Sequence, residues 1–192
     1  MNVLGIPGSL RRQSYNRMLL EVATRATPAG MSLTVVPVEI LAAIPPFNED
    51  LEEELDGDPE PVRLLRDAVR SADGILISTP EYNQSIPGVL KNHLDWLSRP
   101  RPDEVLAGKP AAIMGATSGE WGTRLSQSMA RQVLSSTEAW VLPSTASIYI
   151  RKVSRLFDGH ELRDQPTLDR LSSFLESFAE WIARCERPVI AG

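Results

Sequence analysis

The sequence predicts an α/β protein with a doubly wound parallel sheet, and three observations lead to this fold class. Short apolar segments alternate five times with longer segments of helical periodicity. The apolar segments are continuous rather than alternating, which is typical of strands covered on both faces. The chain has 192 residues without a repeat or a linker, so we expect one domain over residues 1–192. Strict alternation of strands and helices places helices on both faces of one sheet.

Five apolar segments are the predicted strands. In chain order they are 2–6, 32–38, 74–79, 110–117 and 139–143. The third segment, GILIST, is the clearest, because it is continuously apolar until its polar end. Pro37 lies near the end of the second segment and indicates an edge strand, since proline cannot donate to a strand ladder.

Each strand is followed by a predicted helix. The prediction rests on apolar residues at helical spacing. The five stripes are Leu19, Val22, Ala23 and Ala26; Val62, Leu65, Val69 and Ala72; Val89, Leu90, Leu94 and Leu97; Leu125, Met129, Gln132 and Val133; and Leu168, Leu171, Leu175, Phe178 and Ile182. The third helix starts beside Pro87, a residue suited to a first helical turn. The fourth stripe is the least regular of the five.

Two longer connections interrupt the alternation. Residues 45–61 carry eight acidic residues between Glu49 and Glu60, which favours a solvated connection. Cation binding is the alternative interpretation of this acidic segment. We expect residues 150–166 to be a second surface connection, with a hairpin that turns at the Asp-Gly pair beginning at Asp158.

Composition argues against several classes of function. The formal net charge of −5 disfavours a nucleic-acid partner. His93 and His160 lie far apart, so no metal site is predicted, and a Ser-His-Asp hydrolase is poorly supported. Cys185 is the single cysteine and cannot form an internal disulfide. Because we see neither a signal peptide nor a membrane-spanning apolar run, we expect a cytoplasmic protein without a membrane partner.

The loops after strands one, three and four are expected to form the functional site, because open α/β sheets bind ligands beyond the carboxyl ends of their strands. The first loop, GIPGSLRRQSYN, combines a helix N-terminus with hydroxyl, amide and guanidinium groups. These groups belong to Ser9, Arg11, Arg12, Ser14 and Asn16. Together they suit a phosphate monoester. The loop lacks both the Walker A pattern and the G-x-G-x-x-G fingerprint, and an ordinary capped loop is the alternative.

The other two loops suit a flat ring. The loop STPEYNQSIPGVLKNHLDWLSRP (78–100) can lay backbone groups along the edge of a heterocycle, with Tyr82 beside it. A plain strand-to-helix turn is the alternative here. The loop TSGEWG (117–122) permits close backbone approach and carries a large apolar face at Trp121. Trp121 could equally pack against its own helix or a partner subunit.

Three segments in combination, GSLRRQSYN, TPEYNQSIPGVLKNHLDWLSRP and GATSGEWGTR, resemble the signature segments of the NADPH-dependent FMN reductases. This flavodoxin-like group includes soluble quinone and chromate reductases. The resemblance implies a five-stranded flavodoxin-like sheet in the order 2-1-3-4-5, bound FMN, and a homodimer or homotetramer. It implies that two electrons pass from NADPH or NADH through FMN to quinones, free flavins, azo compounds or oxidised metal ions such as chromate. No catalytic side chain is implied, since the flavin carries the chemistry.

The resemblance also assigns site residues. Those around the FMN phosphate would be Ser9, Arg11, Ser14, Tyr15 and Asn16. Those along the isoalloxazine edge, chiefly through backbone, would be Pro80, Glu81, Tyr82 and Asn83, with Ser118 and Gly119 near the polar edge of the ring. The residues alone leave two other functions open: a flavodoxin-like electron carrier without its own NAD(P)H reaction, and a phosphate- or nucleotide-binding protein with no redox role.

Overall fold

The computed structural model describes residues 1–99 and 104–185. The end of the second predicted loop and the end of the predicted domain lie outside these ranges. The strands are β1 Asn2–Pro7, β2 Ser32–Val35, β3 Gly74–Ser78, β4 Pro110–Ala116, β5 Trp140–Val141, β6 Ile148–Ile150, β7 Phe157–Asp158 and β8 Glu161–Leu162. The α-helices are α1 Tyr15–Arg25, α2 Val38–Ala43, α3 Glu49–Glu54, α4 Glu60–Ser71, α5 Gly88–Leu97, α6 Arg124–Ser136 and α7 Gln165–Cys185.

A parallel sheet in the order β2-β1-β3-β4-β5 confirms the predicted fold class and the edge position of β2. Every residue of β3 and β4 is buried, as expected for central strands covered on both faces. One apolar core joins the sheet to α4, α5 and α6 through residues such as Leu65, Leu90 and Leu134. The other joins it to α1 and α7 through Leu19 and Phe178. The sheet is therefore wound on both faces.

The fifth strand is split into two short pieces. β5 pairs with the start of β4, and β6 pairs in parallel with its end. Pro143 follows β5 closely, and the chain leaves the ladder in a 3₁₀ turn over Ser144–Ala146 because proline offers no N–H group to pair. The predicted strand 139–143 is thus too long. The predicted connection 150–166 starts too early, since Ile150 is 1% exposed inside β6.

The connections contain more structure than we expected. The second strand ends at Val35, and α2 begins directly after Pro37. The acidic segment includes α3, of whose six residues none is buried, so it is solvated but helical. The predicted hairpin is confirmed, because β7 and β8 pair antiparallel across a turn in which Gly159 has φ 58°. Across both described ranges, no helix combines the length and apolarity needed to cross a bilayer.

The stripe predicted for α6 is wrong. The helix buries Ser126, Gln127, Ala130 and Leu134 instead. Leu125 is 49% exposed and Met129 is 40% exposed. The amide nitrogen of Gln127 has two partners: it donates to the hydroxyl of Thr123 at 3.0 Å and to the carbonyl of Ile148 at 2.9 Å. Because the first turn of α6 buries polar side chains, the apolar Leu125 and Met129 remain on its surface.

Candidate active site

A cleft of about 240 Å³ lies where the carboxyl ends of β1, β3 and β4 meet, and all three predicted loops line it. Its walls are Ser9, Arg11, Ser14, Tyr15 and Asn16; Pro80, Glu81 and Tyr82; and Ala116, Thr117 and Ser118. Of the residues that the resemblance assigned, all except Asn83 and Gly119 are on this wall. Ala116 and Thr117 are additional, and their position at the carboxyl end of the fourth predicted strand, 110–117, was the signal that could have found them.

The first loop packs closely against the end of β3. The backbone N–H of Gly8 donates to the carbonyl of Ser78 at 2.8 Å. A β-carbon at Gly8 would lie 3.1 Å from the Cα of Thr79 and 3.2 Å from the Ser78 oxygen. Glycine is therefore needed for this close approach, which brings the first and second loops together.

The N-terminus of α1 opens into the cleft. Ser14 precedes the helix with extended backbone, yet within the described chain its side chain makes no capping hydrogen bond. The first turn of α1 contains no acidic residue. The N–H of Arg17 donates to Ser14 O at 3.0 Å, whereas the N–H groups of Tyr15 and Asn16 precede the first intrahelical bond. Such N–H groups carry partial positive charge, so this end attracts an anion. Ser9 and Ser14, 3% and 4% exposed, add hydroxyls, and the exposed Arg11 adds a cation.

Asn16 is mainly engaged with the protein itself. Its amide nitrogen donates to the carbonyl of Ala116 at 2.9 Å, and its oxygen accepts from the Ala116 N–H at 2.9 Å. The same oxygen accepts from the hydroxyl of Ser78 at 3.1 Å. These bonds fix the start of α1 to the ends of β3 and β4. One amide hydrogen of Asn16 is left for a ligand, so its larger contribution is to hold the cleft in shape.

Glu81 joins the second loop to α6. Its Oε2 accepts from the backbone N–H groups of Leu125 at 2.9 Å and Ser126 at 3.1 Å. The carboxylate therefore caps the first turn of α6, for which Thr123 provides no side-chain cap among the described residues. Ser126 also donates to the carbonyl of Pro80 at 2.8 Å, so the start of α6 and the second loop form one hydrogen-bonded unit.

The tip of the second loop is a tight turn. The backbone groups of Tyr82 and Ser85 exchange hydrogen bonds at 3.1 and 3.0 Å, and the two residues between them, Asn83 and Gln84, have φ of 51° and 64°. Asparagine tolerates this left-handed conformation better than most residues. Asn83 is exposed at the tip, outside the cleft wall, whereas the Tyr82 hydroxyl lies 3.4 Å from that of Ser9.

The third loop is hydrogen-bonded to the end of β6 and to the segment that follows it. The N–H of Thr117 donates to Ile150 O, and the N–H of Val153 donates to Thr117 O, both at 3.0 Å. The N–H of Gly119 is turned back onto the Thr117 hydroxyl at 3.2 Å, which leaves Gly119 just beyond the cleft. Trp121 is 83% exposed, so the alternative that it packs against its own helix is wrong.

His93 has no part in the cleft wall. It is 1% exposed, and its Nε2 donates to the carbonyl of Leu41 at 3.0 Å, which joins α5 to α2. Burial lowers the pKa of this imidazole, which is therefore neutral. His160 is exposed on the hairpin, 3.8 Å from Glu21. In the part of the chain that the structure describes, no group of three or more His, Cys, Asp or Glu side chains could hold a metal ion.

Comparison with known proteins gives concordant results. A family model for NADPH-dependent FMN reductases matches residues 1–150. An NAD(P)H-dependent FMN reductase of Pseudomonas aeruginosa is 38% identical over 185 residues, with 96% of each chain covered. A quinone reductase of Escherichia coli K12 is 39% identical over 186 residues, again with 96% of each chain covered. A 2-hydroxy-1,4-benzoquinone reductase of a Burkholderia species is 35% identical, over 95% of this chain and 96% of that one.

Solved structures agree. The flavoenzyme FerB of Paracoccus denitrificans, an NAD(P)H:(acceptor) oxidoreductase, has a TM-score of 0.85 and 29% identity, over 95% of this chain and 97% of that one. An archaeal flavodoxin, with a TM-score of 0.60 and 10% identity, shares the fold alone. These matches favour an enzyme over the electron carrier and the redox-silent binding protein. The chain belongs to the NADPH-dependent FMN reductase family and is an oxidoreductase whose cofactors are FMN and NAD(P)H.

Proposed function

We propose that this protein passes two electrons from NADPH or NADH through FMN to a quinone. One observation carries the proposal: the uncapped N-terminus of α1 opens into the same cleft as the loops after β3 and β4. One end of the cleft suits an anion. At the other end, two loops can bring their backbone close to a ligand. This combination matches a ligand with a phosphate and a flat ring. FMN is such a ligand.

The phosphate end is assigned to the first loop. Ser9, Ser14 and the first-turn N–H groups of α1 would donate hydrogen bonds to the phosphate, and Arg11 would pair with its charge. Tyr15 lines the same end of the cleft. Asn16 fixes the helix start to both neighbouring strands, so it keeps these donors in place.

The ring end is assigned to the second and third loops. Pro80, Glu81 and Tyr82 would line one edge of the isoalloxazine, with Asn83 at the tip of their loop, and Ser118 with Gly119 would lie near the polar edge. The carboxylate of Glu81 already accepts two hydrogen bonds from α6, so its contribution to the ring is made through its backbone. When bound, FMN supplies the two-electron redox chemistry, and the protein contributes position and electrostatic environment.

Quinones are the acceptors we propose first. Relatives at 35–39% identity are named quinone reductases or act on a hydroxybenzoquinone by name. A flat quinone suits a site beside exposed aromatic side chains, here Tyr82 at 43% and Trp121 at 83% exposure. Free flavins, azo compounds and oxidised metal ions such as chromate are further acceptors to be compared in the same assay.

We propose that the protein acts as a homodimer or homotetramer in the cytoplasm. Trp121, Leu125 and Met129 are large apolar side chains on the surface at the start of α6, and Glu81 places the Tyr82 loop next to them. Large apolar side chains exposed so close together in the chain are typical of a subunit contact. A second copy seated on it would cover Trp121 and complete the mouth of the cleft.

The visible spectrum of the purified protein tests the proposed function. We expect a flavin spectrum, or its appearance when FMN is added, and anaerobic bleaching by NADPH or NADH without a partner protein. Addition of a benzoquinone should restore the oxidised spectrum with one quinone reduced per flavin. A protein that stays colourless with FMN would contradict flavin binding. A coloured protein that neither nicotinamide bleaches would contradict the enzyme and favour the electron carrier.

A further inference from the structure

A second cavity, of about 310 Å³, lies behind the third loop of the cleft. Its apolar and neutral walls come from β6, the segment that follows it and the first turns of α7. Its charged groups are Arg151, Lys152, Arg155, Arg170 and Glu120. Four cations thus face one carboxylate in a protein whose formal net charge is −5. We call this cavity the basic pocket.

Most of the positive charge in the basic pocket is uncompensated. Lys152 pairs with Glu120 at 3.0 Å. Arg151, Arg155 and Arg170 form no ion pair with any residue in the described ranges 1–99 and 104–185. Three unpaired guanidinium groups around one cavity repel each other unless an anion joins them, and arginine is the side chain best shaped to bind phosphate in two-point contacts.

The two carboxylates at the start of α7 are engaged within the helix. Asp169, beside Arg170, accepts from the side-chain amide of Gln165 at 2.8 Å. Asp164 accepts from the backbone N–H of Thr167 at 3.0 Å and from its hydroxyl at 2.6 Å, and so caps the start of α7. The negative charge of Asp164 therefore compensates the partial positive charge at the N-terminus of α7. The positive potential of the basic pocket is due to the arginines and not to the helix, and it can serve a ligand from outside the chain.

The basic pocket and the cleft share a wall. Ser118 lines the cleft and Glu120, two residues later, lines the pocket. The backbone N–H of Lys152 donates to Gly119 O at 3.2 Å, while Lys152 itself has φ 50°, a left-handed conformation that a side chain with a β-carbon rarely adopts. The structure thus holds the cationic segment against the loop that lies at the ring end of the cleft.

We propose that the basic pocket binds the 2′-phosphate of NADPH while the nicotinamide reaches the cleft. This inference rests on the proposed function and adds to it a preference for NADPH over NADH. The two dinucleotides differ by this one phosphate monoester, whose charge approaches −2 near neutral pH. The FMN phosphate has its own site at α1, and quinones carry no comparable charge, so neither accounts for the three arginines.

Calorimetric titration of the purified, FMN-supplemented protein with 2′,5′-ADP tests the proposal. This probe carries the 2′-phosphate but no nicotinamide, so its binding is read without any redox reaction. We expect it to bind at least about tenfold more tightly than 5′-AMP, as for one charge-assisted phosphate contact. Arg155→Ala and Arg170→Ala should each lower the affinity for 2′,5′-ADP by about tenfold and leave the affinity for 5′-AMP unchanged.

The matched control is Arg184→Ala, which removes an arginine from the same helix as Arg170. Arg184 is exposed, pairs with Glu180 at 3.6 Å and lies outside the basic pocket. It should leave 2′,5′-ADP binding unchanged. In steady-state assays, Arg155→Ala should raise KM for NADPH and leave KM for NADH and both kcat values as they are.

Several results would overturn the proposal. The basic pocket does not bind the 2′-phosphate if 2′,5′-ADP and 5′-AMP bind with equal affinity. The same conclusion follows if both pocket variants bind 2′,5′-ADP as the parent does. Displacement of 2′,5′-ADP by inorganic phosphate at the same concentration would make it a general anion site. A changed oligomeric state with unchanged 2′,5′-ADP binding would make it a subunit contact. The proposed function fails separately, in the flavin spectrum, so the two failures are distinguishable.

Discussion

Helices α1 and α6 start at the same edge of the sheet, and their first turns are completed in different ways. Neither helix carries an acidic residue in its first turn. At α6 the carboxylate of Glu81 accepts from two first-turn N–H groups and supplies the missing negative charge from another loop. At α1 the neighbouring Ser14 gives no capping bond within the described chain, and no carboxylate lines that end of the cleft.

The difference indicates what each helix end does. The α6 terminus is satisfied by the protein and fastens the second loop to the helix, which is a structural role. The α1 terminus has neither a side-chain cap nor an acidic first-turn residue within the described chain, which favours the anion-binding role that we propose for it. The first four of the following predictions each alter one of these ends and the fifth alters neither, in order from the largest expected effect to the smallest.

Gly115→Ala should dislodge the start of α6. A β-carbon at this position of β4 would collide with the Thr123 hydroxyl and the Thr79 carbonyl, and both belong to the tightly packed junction of strand and helix. We expect a loss of about 3 kcal/mol in the free energy of unfolding, measured by urea denaturation. Gly88→Ala is the control, because a β-carbon there meets nothing within 4 Å. Equal stabilities of the two variants would contradict this packing.

Ser14→Asp should make the α1 terminus resemble that of α6. An aspartate at this position can cap the helix, so we expect unchanged or slightly higher stability of the FMN-free protein. Its charge would repel the FMN phosphate and lower FMN affinity by more than about a hundredfold, while riboflavin binding changes little. Fluorescence titration with both flavins measures this. An FMN affinity equal to that of the parent would show that the phosphate is bound elsewhere.

Arg11→Ala should lower the affinity for FMN by about tenfold to a hundred-and-fiftyfold. This is the range expected for loss of one charge-assisted hydrogen bond. Riboflavin, which has the ring without the phosphate, should bind the variant and the parent alike. Arg12→Ala is the matched control and should change neither affinity by more than a few-fold, since exposed charges contribute little. Equal losses for FMN and riboflavin in Arg11→Ala would assign Arg11 to the ring.

Glu81→Ala should make the α6 terminus resemble that of α1. Loss of the cap is expected to lower stability by about 1 kcal/mol, with FMN and riboflavin weakened together because the second loop is released from α6. Thermal unfolding and the two flavin titrations measure these effects. A selective loss of FMN would mean that the carboxylate acts on the phosphate end instead, contrary to its observed bonds.

His93 lies away from both helix ends and gives the smallest expected effect. Burial lowers its pKa, so below about pH 6.5 the unfolded chain binds a proton that the folded chain does not. Stability should therefore fall as the pH is lowered, with a contribution from this residue of up to about 1 kcal/mol near pH 5.5. His93→Gln should remove this part of the slope and leave FMN affinity unchanged. Identical slopes from pH 8 to 5 in the variant and the parent would contradict it.

The layered fold and the three loops that line the cleft could both be predicted from the sequence. Continuous apolar runs between amphipathic segments permit only a covered parallel sheet, and the strand-end rule then selects the loops. Those arguments depend on local composition and periodicity, which a single sequence contains. The stripe of α7 was predicted well for the same reason, since its apolar residues face one large core.

The hydrogen-bond partners of the polar side chains could not be predicted from the sequence. The first turn of α6 buries Ser126 and Gln127 because they bond to carbonyls of the second loop and of β6, and no pattern within the helix shows those partners. Asn16 and Glu81 look in sequence like ligand-binding residues. In the structure, the side chain of Asn16 bonds to Ala116 and Ser78 instead, and that of Glu81 bonds to the start of α6. A hydrogen bond depends on position in space, so residues 44 to 100 apart in the chain acquire their roles only when the sheet brings them together.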